Sequence, residues 1–248
     1  MNLKYKIVIT GGSGRFGLIL QKNYKSNKLF YPDKSELNIL STKSIEKYLK
    51  KTKPKILIHL AALSRPMNIH DNNISRSIDL NIIGTANIVK ICSKLNIKLI
   101  YFSTNYVYEG KKGNYKETDP LLPVNNYAWS KLGGESSVQM YKNSLILRVC
   151  MTEEPFIHKT AFSDIQTNFI FHKEVANILF KILNYKGVMN IGGKIQSPYN
   201  FGKEYNKNLK KTLVKNKIKN FPLKPSMNIS KLKKIIKNQL NKTFLNHN

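Results

Sequence analysis

Short apolar runs punctuate the chain at 4–10 (KYKIVIT), 55–61 (KILIHLA), 98–104 (KLIYFST), 144–150 (SLILRVC) and 188–193 (VMNIGG), with a weaker run, KLFY, at 28–31. Bounded runs of this length suit strands covered on both faces, and helical patterns between them would supply the cover. The clearest such pattern spans 81–95, where Ile82, Ile83, Ala86, Val89 and Ile91 recur at near-helical spacing and lead back to the run at 98. This alternation predicts an α/β fold, a doubly wound parallel sheet. Beyond 194 the pattern turns lysine-rich, and a helix at 229–240 is the one element that stands out. The chain of 248 residues fits one large domain with an appended lobe. Residues 1–150 are expected to form the main domain, with 173–193 returning to it, while 151–172 and 194–248 form the lobe.

The first run ends in Thr10-Gly11-Gly12-Ser13-Gly14-Arg15-Phe16-Gly17 and passes into an apolar helical stretch. A strand, a glycine turn and a helix N-terminus bring backbone N–H groups up to a pyrophosphate, and the helix dipole favours its charge. Gly11 is expected to permit the tight turn, Gly14 to clear a side chain from the phosphates, and Gly17 to let the helix pack against the sheet. The fold is thus read as Rossmann-type, with a dinucleotide over Gly11, Ser13, Gly14, Arg15, Phe16 and Gly17. Asp33, past the second strand, stands where adenosine ribose hydroxyls are usually held, whereas Arg15 and Lys34 suit the 2′-phosphate of NADP. Asp33 capping the PDKS turn, with Lys34 facing water, is the alternative. NADP(H) is favoured, with NAD(H) the other option.

Tyr127 and Lys131 stand four apart in YAWSK, on one face of a helix about one turn from each other. A phenol with a pKa near 10 is a poor acid at neutral pH, and a neighbouring ammonium favours its phenolate. The spacing alone is common in a chain rich in both residues; its company is more specific. The glycine turn, HLAA at 59–62, LNIIGT at 80–85, FSTNYVYEG at 102–110 and YAWSK at 127–131 resemble, in order and spacing over residues 1–150, the extended short-chain dehydrogenase/reductase family. Within it PDKSELNIL, STNYVYEG and YAWSKLGGE look most like the dTDP-4-dehydrorhamnose reductases.

The resemblance implies that Thr104 bonds a substrate carbonyl, Tyr127 donates the proton, and Lys131 holds the nicotinamide ribose while acidifying Tyr127. Ala61, Ala62, Leu63 and Ser103 would border the cofactor, Asn81 would order the region behind the site, and Val149 would pass beside the nicotinamide. Cys150 reads as a small buried hydrophobe rather than a nucleophile. The implied reaction is NAD(P)H-dependent reduction of a 4-keto-6-deoxy nucleotide sugar. Related 4,6-dehydratases carry an Asp-Glu pair where Asn105 and Tyr106 stand, so a dehydratase is not expected. A 4-epimerase uses the same Thr, Tyr and Lys and stays an alternative. The segment from Arg148 to HKEVANILFKIL at 172–183 is short for the rhamnose-pathway reductases, although MNISKLKKI at 227–235 resembles their closing segment. That trimming leaves a non-catalytic regulatory subunit, like the methionine adenosyltransferase beta subunit, as the rival reading.

The formal charge of +28 would suit a polyanion partner. Yet only Arg15, Arg65, Arg76 and Arg148 among 42 basic residues are arginine, and the accompanying Asn and Ile excess is what an AT-rich genome imposes. No specific nucleic-acid groove is expected. Cys92 and Cys150 have no metal-type spacing, and no apolar run approaches the roughly 20 residues of a membrane span. With no room for a leader before the glycine turn, a cytoplasmic enzyme is expected. A nucleotide sugar is the expected partner, and a homodimer is left open.

Overall fold

The computed structural model describes residues 3–214 and 222–245. In chain order the elements begin β1 (Ile7–Thr10), α1 (Arg15–Asn23), β2 (Leu29–Phe30), α2 (Thr42–Thr52), β3 (Ile56–His59), α3 (Ile69–Asn72) and α4 (Ile74–Ser77). A π-helical segment (Ile78–Ile83) leads into α5 (Gly84–Lys94), followed by β4 (Lys98–Thr104), α6 (Asn126–Gln139), β5 (Ser144–Val149), β6 (Met151–Thr152) and β7 (Thr160–Phe162). The rest are β8 (Ile170–Phe171), α7 (His172–Lys181), β9 (Gly187–Ile191), α8 (Pro198–Lys203), β10 (Lys210–Thr212) and α9 (Ser230–Leu245). Among the described residues no helix is long and apolar enough to cross a membrane.

Six strands form one sheet in the order β2-β1-β3-β4-β5-β9, with β1 parallel to β2 and β3, and β3 parallel to β4. The chain moves from β1 to β2 on one side and returns to β3 on the other. The order therefore reverses beside β1, which opens the crevice where doubly wound sheets bind ligands. The expected Rossmann-type sheet is present, with β9 as its last strand.

By compactness the chain divides differently from the sequence-based boundaries. One unit comprises Met1–Val107, Asn125–Leu147 and Asn184–Gly187; the other comprises Tyr108–Val124, Arg148–Leu183 and Val188–Asn248. The first unit buries Val8, Ile9, Leu57, Ile58, Leu99 and Ile100 completely, as strands covered on both faces must. Its helices have local causes. Ser41 caps α2 by accepting from the Ser44 amide, and Asn125 caps α6 by accepting from the Ala128 amide at 2.8 Å. The single helix expected over 81–95 is a π turn followed by α5, and the widened turn carries the buried side chain of Asn81.

The second unit is built from shorter pieces. β6 pairs with β8 and β7 with β10, each over two or three residues. Phe156, Ala161, Phe171, Phe201 and Leu209 form its apolar cluster, with the Phe171 and Phe201 rings 5.0 Å apart. Asn168 fastens the 227–235 segment by accepting from the Met227 amide at 3.2 Å and donating to its carbonyl at 3.1 Å.

Candidate active site

The glycine turn closes on the residue that follows β3. Gly11 has φ +74°, and a Cβ there would lie 2.6 Å from the Ala61 amide nitrogen, so the approach requires glycine. A Cβ on Gly17 would meet the Gly12 carbonyl oxygen at 2.4 Å; this glycine lets α1 pack against the turn itself rather than against the sheet as expected. At Gly14 a Cβ would meet only the Gly11 carbonyl oxygen, at 3.2 Å, so that side is open. No side chain caps the N-terminus of α1 at Gly14, an arrangement suited to an anion. Ser13, Gly14 and Arg15 are exposed there. Phe16 departs from the expectation, because its buried ring packs 5.1 Å from that of Phe102 in the core.

Asp33 is committed locally. Its Oδ1 accepts from the Ser35 amide at 2.8 Å, the Ser35 hydroxyl at 2.6 Å and the Glu36 amide at 3.0 Å. These bonds, the Ser35 hydroxyl foremost, hold its pKa below the usual carboxylate range. The turn-capping alternative is the geometry found, and Lys34 beside it is exposed.

Behind the turn, the fully buried Asn81 fixes the segment after β3. Its Oδ1 accepts from the Leu63 amide at 2.7 Å, and its Nδ2 donates to the Leu63 carbonyl at 2.9 Å and to Ser130 Oγ at 2.8 Å. That ties the Ala61, Ala62 and Leu63 stretch to α6. His59 spans Thr10 Oγ1 at 2.8 Å and Thr85 Oγ1 at 3.2 Å. Burial first, and the Lys131 cation second, push its pKa down to about 3, so the ring is neutral.

The chemistry sits where β4 ends and α6 begins. Thr104 is buried, and its Oγ1 accepts from the Tyr106 amide at 3.3 Å. The Tyr127 hydroxyl hydrogen-bonds to Thr104, which brings together two of the three expected catalytic residues. Burial raises the Tyr127 pKa above its ordinary value, while the Thr104 bond and the Arg65 and Arg15 cations pull it back. The Tyr127 ring lies 5.1 Å from that of His70, whose Nδ1 is 2.7 Å from Ser77 Oγ.

Lys131 follows one turn along α6, only 4% exposed, with Nζ 4.2 Å from the centre of the Tyr101 ring. Burial lowers its pKa to about 7, against the opposing pull of Glu135. Arg65 and Arg15 are the cations that pull on Tyr127, and the Lys131 ammonium lies over the Tyr101 ring. Ser103, expected beside a cofactor, donates its hydroxyl to Glu135 Oε2 at 2.5 Å. Val149 and Cys150 are buried in the second unit, where Cys150 Sγ is 3.1 Å from Thr167 Oγ1. Burial pushes that thiol up to about 11, which fits an inert side chain rather than a nucleophile.

Sequence reasoning passed over Glu135, His59, Arg65 and His70. Glu135 carried a signal, since it continues the Tyr127 and Lys131 face of the helix at the same spacing of four.

The family model described as the RmlD substrate binding domain matches residues 5–152, more than half of the chain. The chain belongs to this family. Its fold is that of the extended short-chain dehydrogenase/reductases. A dTDP-4-dehydrorhamnose reductase from Bacillus anthracis, solved in complex with NADP, superposes with a TM-score of 0.83 at 20% identity, covering 93% of this chain and 92% of that one. Among curated relatives, the methionine adenosyltransferase 2 subunit beta of Pongo abelii is 27% identical over 54% of this chain, and the match takes in 42% of that protein. The dTDP-D-glucose 4,6-dehydratase of Dictyostelium discoideum is 32% identical over 59% of this chain and 42% of its own length. The chain thus spans less than half the length of the curated relatives it matches.

Proposed function

We propose that this RmlD-family chain is an NAD(P)H-dependent oxidoreductase that reduces the 4-keto group of a 6-deoxy nucleotide sugar. The observation that carries the reading is the Tyr127 hydroxyl held by Thr104, with Lys131 buried one turn away. The open side of Gly14 and the uncapped start of α1 fit a dinucleotide pyrophosphate. NADPH, when bound, supplies the hydride.

The residues divide the remaining work. Burial keeps Tyr127 a neutral phenol at pH 7, the form that donates a proton. Thr104 orients the carbonyl oxygen, Tyr127 passes its proton to that oxygen, and Arg65 and Arg15 favour the phenolate left behind. Lys131 holds the ribose. NADPH is preferred because the Asp33 oxygen that would repel a 2′-phosphate is occupied within its own turn while Lys34 remains exposed. Asn105 and Tyr106 supply no carboxylate for a dehydratase. The test is NADPH absorbance in the presence of dTDP-, UDP- and GDP-linked 4-keto-6-deoxy sugars. Oxidation coupled to one of them supports the reading; interconversion of 4-hydroxy sugars with retained cofactor would instead mark an epimerase.

A second reading, a regulatory subunit, is favoured by the sequence likeness to methionine adenosyltransferase beta subunits. Cofactor binding without turnover on every sugar, together with stable co-purification with a partner enzyme, would establish it instead.

A further inference from the structure

We propose that Glu135 is a positioning residue of the site: its buried carboxylate, oriented by Ser103, keeps the Lys131 ammonium charged and in place. The role in turnover rests on the reductase reading, but the effect on Lys131 does not.

Three observations converge. Glu135 is fully buried and Lys131 nearly so, four residues apart on α6 and therefore stacked on one helix face. Ser103, the second-last residue of β4, donates to Glu135 Oε2 at 2.5 Å, which fixes where that carboxylate lies. Among the described residues, Glu135 is the charge that acts on Lys131. The groups acting on it are the neutral His59 on β3, the Tyr101 ring on β4, and Glu135 on its own helix. On the π turn and α5, Asn81 bonds Ser130 and Thr85 bonds His59, and neither side chain carries charge.

The energetics explain why a partner is required. Burying an ammonium strongly favours its neutral form, and an uncompensated buried lysine loses its proton near or below neutral pH. A neutral amine would hold a ribose less firmly. Glu135 opposes that loss: burial lowers the Lys131 pKa to about 7, and the Glu135 carboxylate pulls the other way. The Tyr101 face adds the smaller attraction of a ring quadrupole.

The direct test needs no turnover. Protein labelled with carbon-13 at lysine Cε is titrated by NMR, and the Lys131 signal is assigned by its loss in Lys131→Met. Ordinary lysines titrate near 10.4 and Lys98 is lowered to about 8, so the loss in Lys131→Met identifies the midpoint near 7. Glu135→Gln, which keeps shape and removes charge, is expected to lower the midpoint by about one pH unit or more. Glu135→Asp, which keeps the charge but retracts it, is expected to give a smaller shift in the same direction, and it decides the matter should Glu135→Gln fail to fold. A midpoint unmoved to within about 0.3 unit in the variants that fold would overturn the proposal. In turnover, the alkaline limb of kcat should move to lower pH in Glu135→Gln while KM for the sugar is unchanged. Loss of turnover in both proteins with a shifted NMR midpoint would count against the reductase reading and leave the Glu135 role standing.

Discussion

The two compact units hold themselves together by different means. In the first, strands of up to seven residues run through the core, and glycines, caps and buried polar contacts fix backbone positions around one crevice. In the second, the two- and three-residue strands β6, β7, β8 and β10 accompany a packed group of aromatic rings centred on Phe201. The contrast teaches where each kind of change should be felt. Side chains of the first unit can be altered with chemical consequences and small structural ones, whereas the second depends on packed volume.

The largest effect on stability is expected at Phe201, whose ring meets Phe156, Phe171 and Tyr205. Phe201→Ala should destabilise the second unit by about 3–5 kcal/mol in denaturant unfolding. NADPH affinity retained after that loss would sharpen the contrast; equal loss of both would break it. Next comes Gly17→Ala, which places a methyl against the Gly12 carbonyl and should cost about 1–3 kcal/mol. Isothermal titration should then show weakened NADPH binding, with the second unit's unfolding unaffected.

A pH effect follows from His59, whose folded pKa of about 3 lies below the ordinary 6.5. The unfolded state binds a proton there first as pH falls, so stability declines between about 6.5 and about 3 and is unaffected by this group above 6.5. Thermal unfolding of His59→Asn should show a flatter acid dependence than wild type, even with a lower melting temperature at pH 7. The smallest effect is expected at exposed Lys34, where Lys34→Ala should raise KM for NADPH about three- to tenfold and leave KM for NADH unchanged. Equal effects on both cofactors would remove Lys34 from 2′-phosphate recognition.

The first unit was legible because its chemistry constrains sequence locally. The strand at 98–104, the glycine turn and the Thr104, Tyr127 and Lys131 set are each contiguous or regularly spaced, and the structure places them in one unit. What the chain order hid were partnerships across elements. Ser103 bonding Glu135, the Phe16 ring against Phe102, and Arg65 and Arg15 acting on Tyr127 depend on how strands and helices meet, which spacing does not encode. The second unit resisted reading beyond residue 194 because β10, a strand of three residues, leaves no periodicity, and the unit's aromatic residues are scattered in sequence and gathered only in space. The 229–240 helix was nonetheless visible, and its backbone runs on to Leu245.

The measurement that bears most directly on the central claim follows hydride from deuterium-labelled NADPH into a panel of dTDP-, UDP- and GDP-linked 4-keto-6-deoxy sugars by mass spectrometry, with wild type and Tyr127→Phe side by side. The account predicts deuterium at C4 of one of these sugars with wild type, and transfer slowed by roughly 10² to 10⁴ in Tyr127→Phe with NADPH affinity unchanged. Absence of transfer to every sugar, or transfer at the wild-type rate without the Tyr127 hydroxyl, would contradict it.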